Sequence, residues 1–240
     1  MAVRQRNTAL CLLMALAVFT PVLAPAREFA TDRARMVREQ IAMRGVTDQR
    51  VLEAMGEVPR EQFVPEETRG RSYSDRPMPI GYDQTISQPY IVAFMTEKLQ
   101  LKPTDRVLEI GTGSGYHAAI LGELAAQVYT IEIVEPLGKR AAATLARLGH
   151  RNVHVRIGDG YKGWLEHAPY DAVIVTCAPD HVPLPLIEQT KEGGRIIIPV
   201  GSAGGVQELY LLEKKNGELK RRSVLPVRFV PMTGKASEPR

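Results

Sequence analysis

From about Asp105 onward, short runs rich in valine and isoleucine alternate with longer stretches in which alanine and leucine recur at helical spacing. Arg106–Ile110, Val128–Ile133, Val153–Ile157, Ala172–Cys177 and Arg195–Val200 are apolar almost throughout, as strands covered on both faces are. Between them Tyr116–Ala125, Pro136–Leu148 and Leu184–Gln189 read as helices. Strands and helices in this order predict an α/β fold, a mostly parallel sheet with helices on both faces. The pattern then changes. Gln207–Glu213 and Leu219–Val230 flank Lys214-Lys215-Asn216-Gly217, and Asn-Gly is a strong hairpin signal, so antiparallel strands are expected to finish the sheet.

Upstream, Thr31–Arg44 and Asp48–Met55 read as helices joined around Gly45, followed by the proline-bounded Val58-Pro59-Arg60-Glu61-Gln62-Phe63-Val64-Pro65. This region, about residues 31–100, holds no strand-helix-strand unit of its own. It is expected to form a helical cap on a single domain covering residues 27–240.

Residues 1–26 are set apart from that domain. Arg4 and Arg6 precede an uncharged apolar run, Ala9 to Phe19, and Ala24-Pro25-Ala26 has the small-x-small form of a cleavage site. The run falls short of the roughly 20 residues that span a bilayer, so it reads as an export signal, with an uncleaved anchor as the alternative. Bulky Leu10 before Cys11 argues against a lipidated cysteine. Cleavage after Ala26 leaves 214 of the 240 residues and lowers the net charge from +4 to +2, since the removed piece carries two arginines and no acid. So small an excess gives no electrostatic case for nucleic acid. Only Cys177 then remains, which excludes an internal disulfide and reads as a small buried side chain.

The chemistry-bearing segment is Val107-Leu108-Glu109-Ile110-Gly111-Thr112-Gly113-Ser114-Gly115-Tyr116, a strand entering a glycine turn and then a helix. Such a turn presents backbone N–H groups and a positive helix end at the mouth of the sheet. A dinucleotide fingerprint would place glycine at position 116, which is Tyr116, whereas Gly111, Gly113 and Gly115 satisfy G-x-G-x-G. The loop resembles that of Rossmann-like methyltransferases. Glu132 ends the next strand 21 residues after Gly111, at the spacing of an acid that accepts ribose hydroxyl hydrogens. Gly158-Asp159-Gly160 follows the third strand. A glycine turn, a strand-end acid and a Gly-Asp-Gly each have ordinary structural explanations, but three at successive strand ends in this order point to a cofactor.

Ile80-Gly81-Tyr82-Asp83-Gln84-Thr85-Ile86-Ser87-Gln88-Pro89-Tyr90 resembles the signature of protein-L-isoaspartate (D-aspartate) O-methyltransferases. So do the segments Val58 to Pro65, Pro169 to Thr176, Gly193 to Gly201 and Phe229-Val230-Pro231-Met232, so the resemblance runs from about Thr31 to Thr233. Asp83 and Cys177-Ala178-Pro179 depart from it. The resemblance implies S-adenosyl-L-methionine as cofactor, held by Gly111, Thr112, Gly113, Ser114 and Gly115, with Glu132 on the ribose and Asp159, between Gly158 and Gly160, beside the adenine. Glu109 is expected to brace the loop or meet the methionine amine. It also implies isoaspartyl proteins and peptides as substrates. The mature chain is expected to be a monomer with no stable membrane span, periplasmic or secreted if the signal is cleaved and cytoplasmic if the N-terminal segment is not used.

On physical grounds Ser87 reads as the N-cap of an amphipathic helix, with Pro89 just inside and Ile91, Val92, Met95 and Leu99 at helical spacing. A helix start with the Thr85 and Ser87 hydroxyls beside it also suits a carboxylate. Three alternatives share these motifs in part: transfer to another acceptor, a non-catalytic cofactor-binding module, and an NAD-dependent oxidoreductase, which Tyr116 disfavours.

Overall fold

The computed structural model describes residues 24–237. The signal read over residues 1–26 lies mainly outside them, and Ala24-Pro25-Ala26 opens the first helix, α1 (Ala24–Arg35). A π-helical turn, Met36–Ile41, and a 3-10 turn, Ala42–Arg44, extend α1 to Gly45, whose φ of 91° ends the helix in the left-handed region. Helix α2 (Gln49–Glu57) begins where the Asp48 carboxylate accepts from Arg50 and Val51 N–H.

The cap is not wholly helical. Met78–Gly81 (β1) and Gln84–Ile86 (β2) form a two-stranded hairpin that the periodicity did not reveal, because each strand is too short to show alternation. Tyr82 and Asp83 make its turn with φ of 55° and 56°, the pair of positive values a type I′ turn requires. Aspartate tolerates that region, which accounts physically for Asp83 where the family resemblance suggests another residue. Helix α3 (Pro89–Leu99) follows, its first residue a proline whose missing N–H costs a helix start nothing.

The main sheet holds β3 (Arg106–Ile110), β4 (Gln127–Glu132), β5 (Val153–Ile157), β6 (Tyr170–Val175), β7 (Thr190–Val200), β8 (Gln207–Lys215) and β9 (Glu218–Val227), in the order β5-β4-β3-β6-β7-β8-β9. The first five are parallel, while β8 and β9 are antiparallel and joined at Asn216-Gly217. Helices α4 (Tyr116–Leu124), α5 (Glu135–Arg147) and α6 (Leu184–Glu188) are the crossovers. The α/β expectation therefore holds, with boundaries within a few residues except at β7, which starts five residues early on polar Thr190-Lys191-Glu192.

One apolar cluster contains Met36, Val51 and Met55 of the cap together with Val107, Val128 and Leu209 of the sheet. Burying these side chains jointly fixes the cap over the sheet, at roughly 1.5–3 kcal/mol per large apolar side chain. Strand order reverses between β3, whose neighbour on one side is β4, and β6 on the other. Open α/β sheets bind ligands at the strand C-termini beside such a reversal.

Candidate active site

Gly111, Gly113 and Gly115 have φ of 96°, 54° and 90°, so the chain turns out of β3 through a conformation closed to most side chains. A Cβ on Gly111 would collide with Thr176 Oγ1, whereas one on Gly113 would meet only Ile80 Cδ1, at 3.5 Å. Gly115 caps α4, packed against Ala141 and Leu145. Gly113 N–H donates to Glu132 Oε2 at 2.7 Å, and Val134 N–H donates to Oε1 at 2.9 Å. The strand-end acid thus ties its own turn to the glycine loop.

Behind the loop Thr130 Oγ1 donates to the buried Glu109 Oε2 at 2.6 Å, which leaves Thr112 Oγ1 to donate to Thr130 Oγ1 at 2.7 Å. Glu109 Oε1 has no partner. Burial, with the nearby Glu132 charge adding to it, pushes the Glu109 carboxyl up to about 8. Ser114 Oγ accepts from Tyr116 N–H at 3.3 Å.

A cleft opens over the loop, lined by Gly111, Gly113, Glu132, Gly160, Thr176 and Met232. Gly158 and Asp159 do not line it. Asp159 is held from two sides instead: Oδ1 accepts from Tyr161 N–H at 2.9 Å, and Oδ2 accepts from Lys235 N–H at 2.9 Å. That second bond fastens the C-terminal tail, and Met232 N–H to Ala178 O at 2.9 Å fastens it again. The tail completes the cleft wall with Val230, Pro231, Met232 and Thr233. Cys177 also lines the cleft, and burial pushes its thiol up to about 12.

Beside this cleft lies a second cavity, of about 440 Å³, whose lining includes Thr85, Ser87, Gln88, Thr176 and Arg228. Thr85 and Thr176 line both, and also the smaller gap between them, which Thr112, Ser114 and His117 border. Ser87 is not the N-cap expected of it. That position is Gln88, with φ −52° and ψ 137° and no side-chain cap bond. Pro89 at the first helical position shifts the boundary by one residue, and the Ser87 hydroxyl forms no hydrogen bond within the described protein. His117 lines the gap as a neutral ring: Thr96 Oγ1 gives its proton to Val92 O, so His117 Nε2 donates to it at 2.9 Å, and burial pulls the ring down to about 3.

Sequence reasoning missed Thr176 as a site residue, along with Arg228 and the tail. Thr176 stands at a strand end next to the glycine loop, donating from Oγ1 to Gly111 O at 2.7 Å, and only the β3–β6 pairing reveals that adjacency.

The residues fit the expected cofactor. The loop offers open space at Gly113 and a carboxylate at Glu132 on the cleft wall, features suited to a ligand with hydroxyls, while the buried Glu109 sits behind the loop and braces it through Thr130 and Thr112. The chain matches the profile of the Protein-L-isoaspartate(D-aspartate) O-methyltransferase family over residues 31–237. It is 54% identical over 230 residues to a protein-L-isoaspartate O-methyltransferase of Opitutus terrae, covering 96% of this chain and 98% of that one. A Synechococcus relative of the same name is 56% identical over 210 residues, 85% of this chain and 86% of that one. A solved protein-L-isoaspartate O-methyltransferase superposes with a TM-score of 0.78 at 32% identity, covering 86% of this chain and 67% of the other. Another, from Plasmodium falciparum in complex with S-adenosyl-L-homocysteine, gives 0.73 at 26% identity, covering 84% and 98%. With its glycine loop, strand-end acid and near full-length matches, this chain belongs to the protein-L-isoaspartate(D-aspartate) O-methyltransferase family of S-adenosyl-L-methionine-dependent enzymes.

Proposed function

We propose that this enzyme methylates the free α-carboxylate of L-isoaspartyl and D-aspartyl residues in damaged proteins, with Thr85 and Ser87 orienting the acceptor. The observation that carries the reading is that Thr85 and Thr176 line both the cofactor cleft and the adjoining cavity, which sets an acceptor side directly beside the cofactor side.

S-adenosyl-L-methionine supplies an electrophilic methyl group on a sulfonium. The protein has to hold it and aim the acceptor. Gly111 to Gly115, Glu132 and the Gly158-Asp159-Gly160 turn are the cofactor-holding residues of this reading, with Glu109 bracing the loop from behind through Thr130 and Thr112. An α-carboxylate, with an ordinary pKa of about 3.5, is ionised at neutral pH, so the acceptor needs no general base. The Ser87 and Thr85 hydroxyls donate to one carboxylate oxygen and leave the other to react. The apolar wall of Ile91, Phe229 and Val230 excludes water from the acceptor side. Positioning then supplies most of the rate. The ester product breaks down through a succinimide, which begins repair.

Kinetics of Ser87→Ala at saturating cofactor test the placement. Turnover should fall about tenfold or more with the cofactor Kd unchanged, and an unaltered turnover would remove Ser87 from the site.

The chain is further read as a monomer carrying an export signal over residues 1–26, cleaved to give a periplasmic or secreted enzyme. Arg4, Arg6, the apolar run and Ala24-Pro25-Ala26 support this reading. Among the described residues no helix is long and apolar enough to cross a membrane. Cell fractionation with N-terminal sequencing tests it, and an intact Met1 in the cytoplasmic fraction would contradict it.

A further inference from the structure

Arg60 is fully buried in the cap, an unusual place for a guanidinium unless its donors are satisfied. Nε donates to the Ser72 carbonyl at 2.7 Å and Nη2 to the Ser87 carbonyl at 2.7 Å, while Nη1 has no acceptor. The guanidinium carbon lies 4.8 Å from the centre of the Tyr116 ring, within cation–π range. Burial pulls Arg60 down to about 10, so it stays charged at neutral pH.

These three contacts join distinct parts of the site. Ser72 and Ser87 bracket the segment that contains the β1–β2 hairpin and Thr85, and Tyr116 is the first residue of the helix that follows the glycine loop. Gln88 Nε2 to Asp75 Oδ1, at 2.8 Å, is an exposed second tie at the base of that segment. Within the hairpin, Ile80 faces Gly113, and its carbonyl accepts from Arg140 on α5.

We infer that Arg60 is a positioning residue for methyl transfer: one planar fork holds the Ser87 backbone at a fixed place relative to the glycine-loop helix, so the acceptor hydroxyl is set before substrate arrives. The inference rests on the acceptor role of Ser87 proposed above. The fork is what matters. A lysine ammonium keeps the charge but cannot direct donors from a rigid plane toward two carbonyls and stack on a ring.

The test is a double-variant cycle, with kcat and KM for an isoaspartyl peptide and the Kd of S-adenosyl-L-homocysteine measured for Arg60→Lys, Ser87→Ala and both together. Arg60→Met, which fills the space without a buried charge, carries the same cycle if the lysine variant does not fold. The Arg60 variant should lose tenfold or more in kcat, with the cofactor Kd within about twofold. In that background Ser87→Ala should cost little more, because its hydroxyl is already misplaced. Wild-type kinetics, a parallel loss of cofactor affinity, or two losses that simply multiply would overturn the inference. A silent Ser87→Ala would remove the acceptor reading and this inference with it, whereas a costly Ser87→Ala with multiplying losses removes this inference alone.

Discussion

Gly113 donates its backbone N–H to the Glu132 carboxylate across 2.7 Å, binding the glycine loop after β3 to the end of β4. Because Val134 N–H uses the other oxygen, the carboxylate is an acceptor on both sides. Glutamine has one acceptor and one donor, so in Glu132→Gln one of those N–H groups faces an amide N–H. Each carboxylate oxygen keeps a lone pair for the ribose hydroxyls of this reading, and hydrogen bonds to a charged group are worth about 1.5–3 kcal/mol each, so losing the charge should raise the Kd of S-adenosyl-L-homocysteine roughly tenfold or more. Isothermal titration checks this, and an unchanged Kd would reduce Glu132 to a strand end.

Gly113→Val should fold and fail to bind cofactor. Its φ of 54° strains a β-branched residue by about 1–2 kcal/mol, a tolerable loss, while among the described residues beyond its two chain neighbours the new Cβ comes within 4 Å only of Ile80 Cδ1. The added methyls therefore enter the cleft. A folded variant with wild-type affinity for S-adenosyl-L-homocysteine would contradict the loop assignment.

The glycine loop, the acid 21 residues on and the sheet around them were legible because each depends on local sequence: glycines where φ is positive, apolar runs where strands are covered twice. The hairpin at Tyr82-Asp83 was not, since three- and four-residue strands carry too little periodicity and the turn lacks glycine at its two central positions. Thr176 and the tail at Val230 to Thr233 join the site only through strand order and long-range backbone bonds, which no local pattern encodes. The Ser87 boundary moved by one residue because Pro89, and not a side-chain cap, sets the start of α3.

Glu109 makes stability pH-dependent. Its carboxyl rises from an ordinary 4.5 to about 8 in the fold, so below pH 4.5 both states are protonated and ionisation costs nothing. Between those values the unfolded chain holds fewer protons than the folded one. Stability therefore falls as pH rises through this window, and the loss is complete above about pH 8. Glu109→Gln mimics the protonated acid and keeps an acceptor for Thr130 Oγ1. It should stabilise the cofactor-free protein by about 2 kcal/mol more at pH 8.5 than at pH 4.5, or about 4–8 °C in melting temperature. Equal differences at the two pH values would show that Glu109 ionises normally.

The central claim is that the cavity beside the glycine loop accepts an α-carboxylate displaced from the ordinary backbone. In isoaspartate the chain continues through the side-chain carbon, which frees that carboxylate and moves it relative to the peptide. A misplacement of about 1 Å costs on the order of a hundredfold in rate, so geometry alone should discriminate. The most direct measurement is radiolabelled methyl transfer from S-adenosyl-L-methionine to two peptides identical except for isoaspartate or aspartate at one position. Labelling confined to the isoaspartyl peptide is the predicted result, and equal labelling of both would contradict the account.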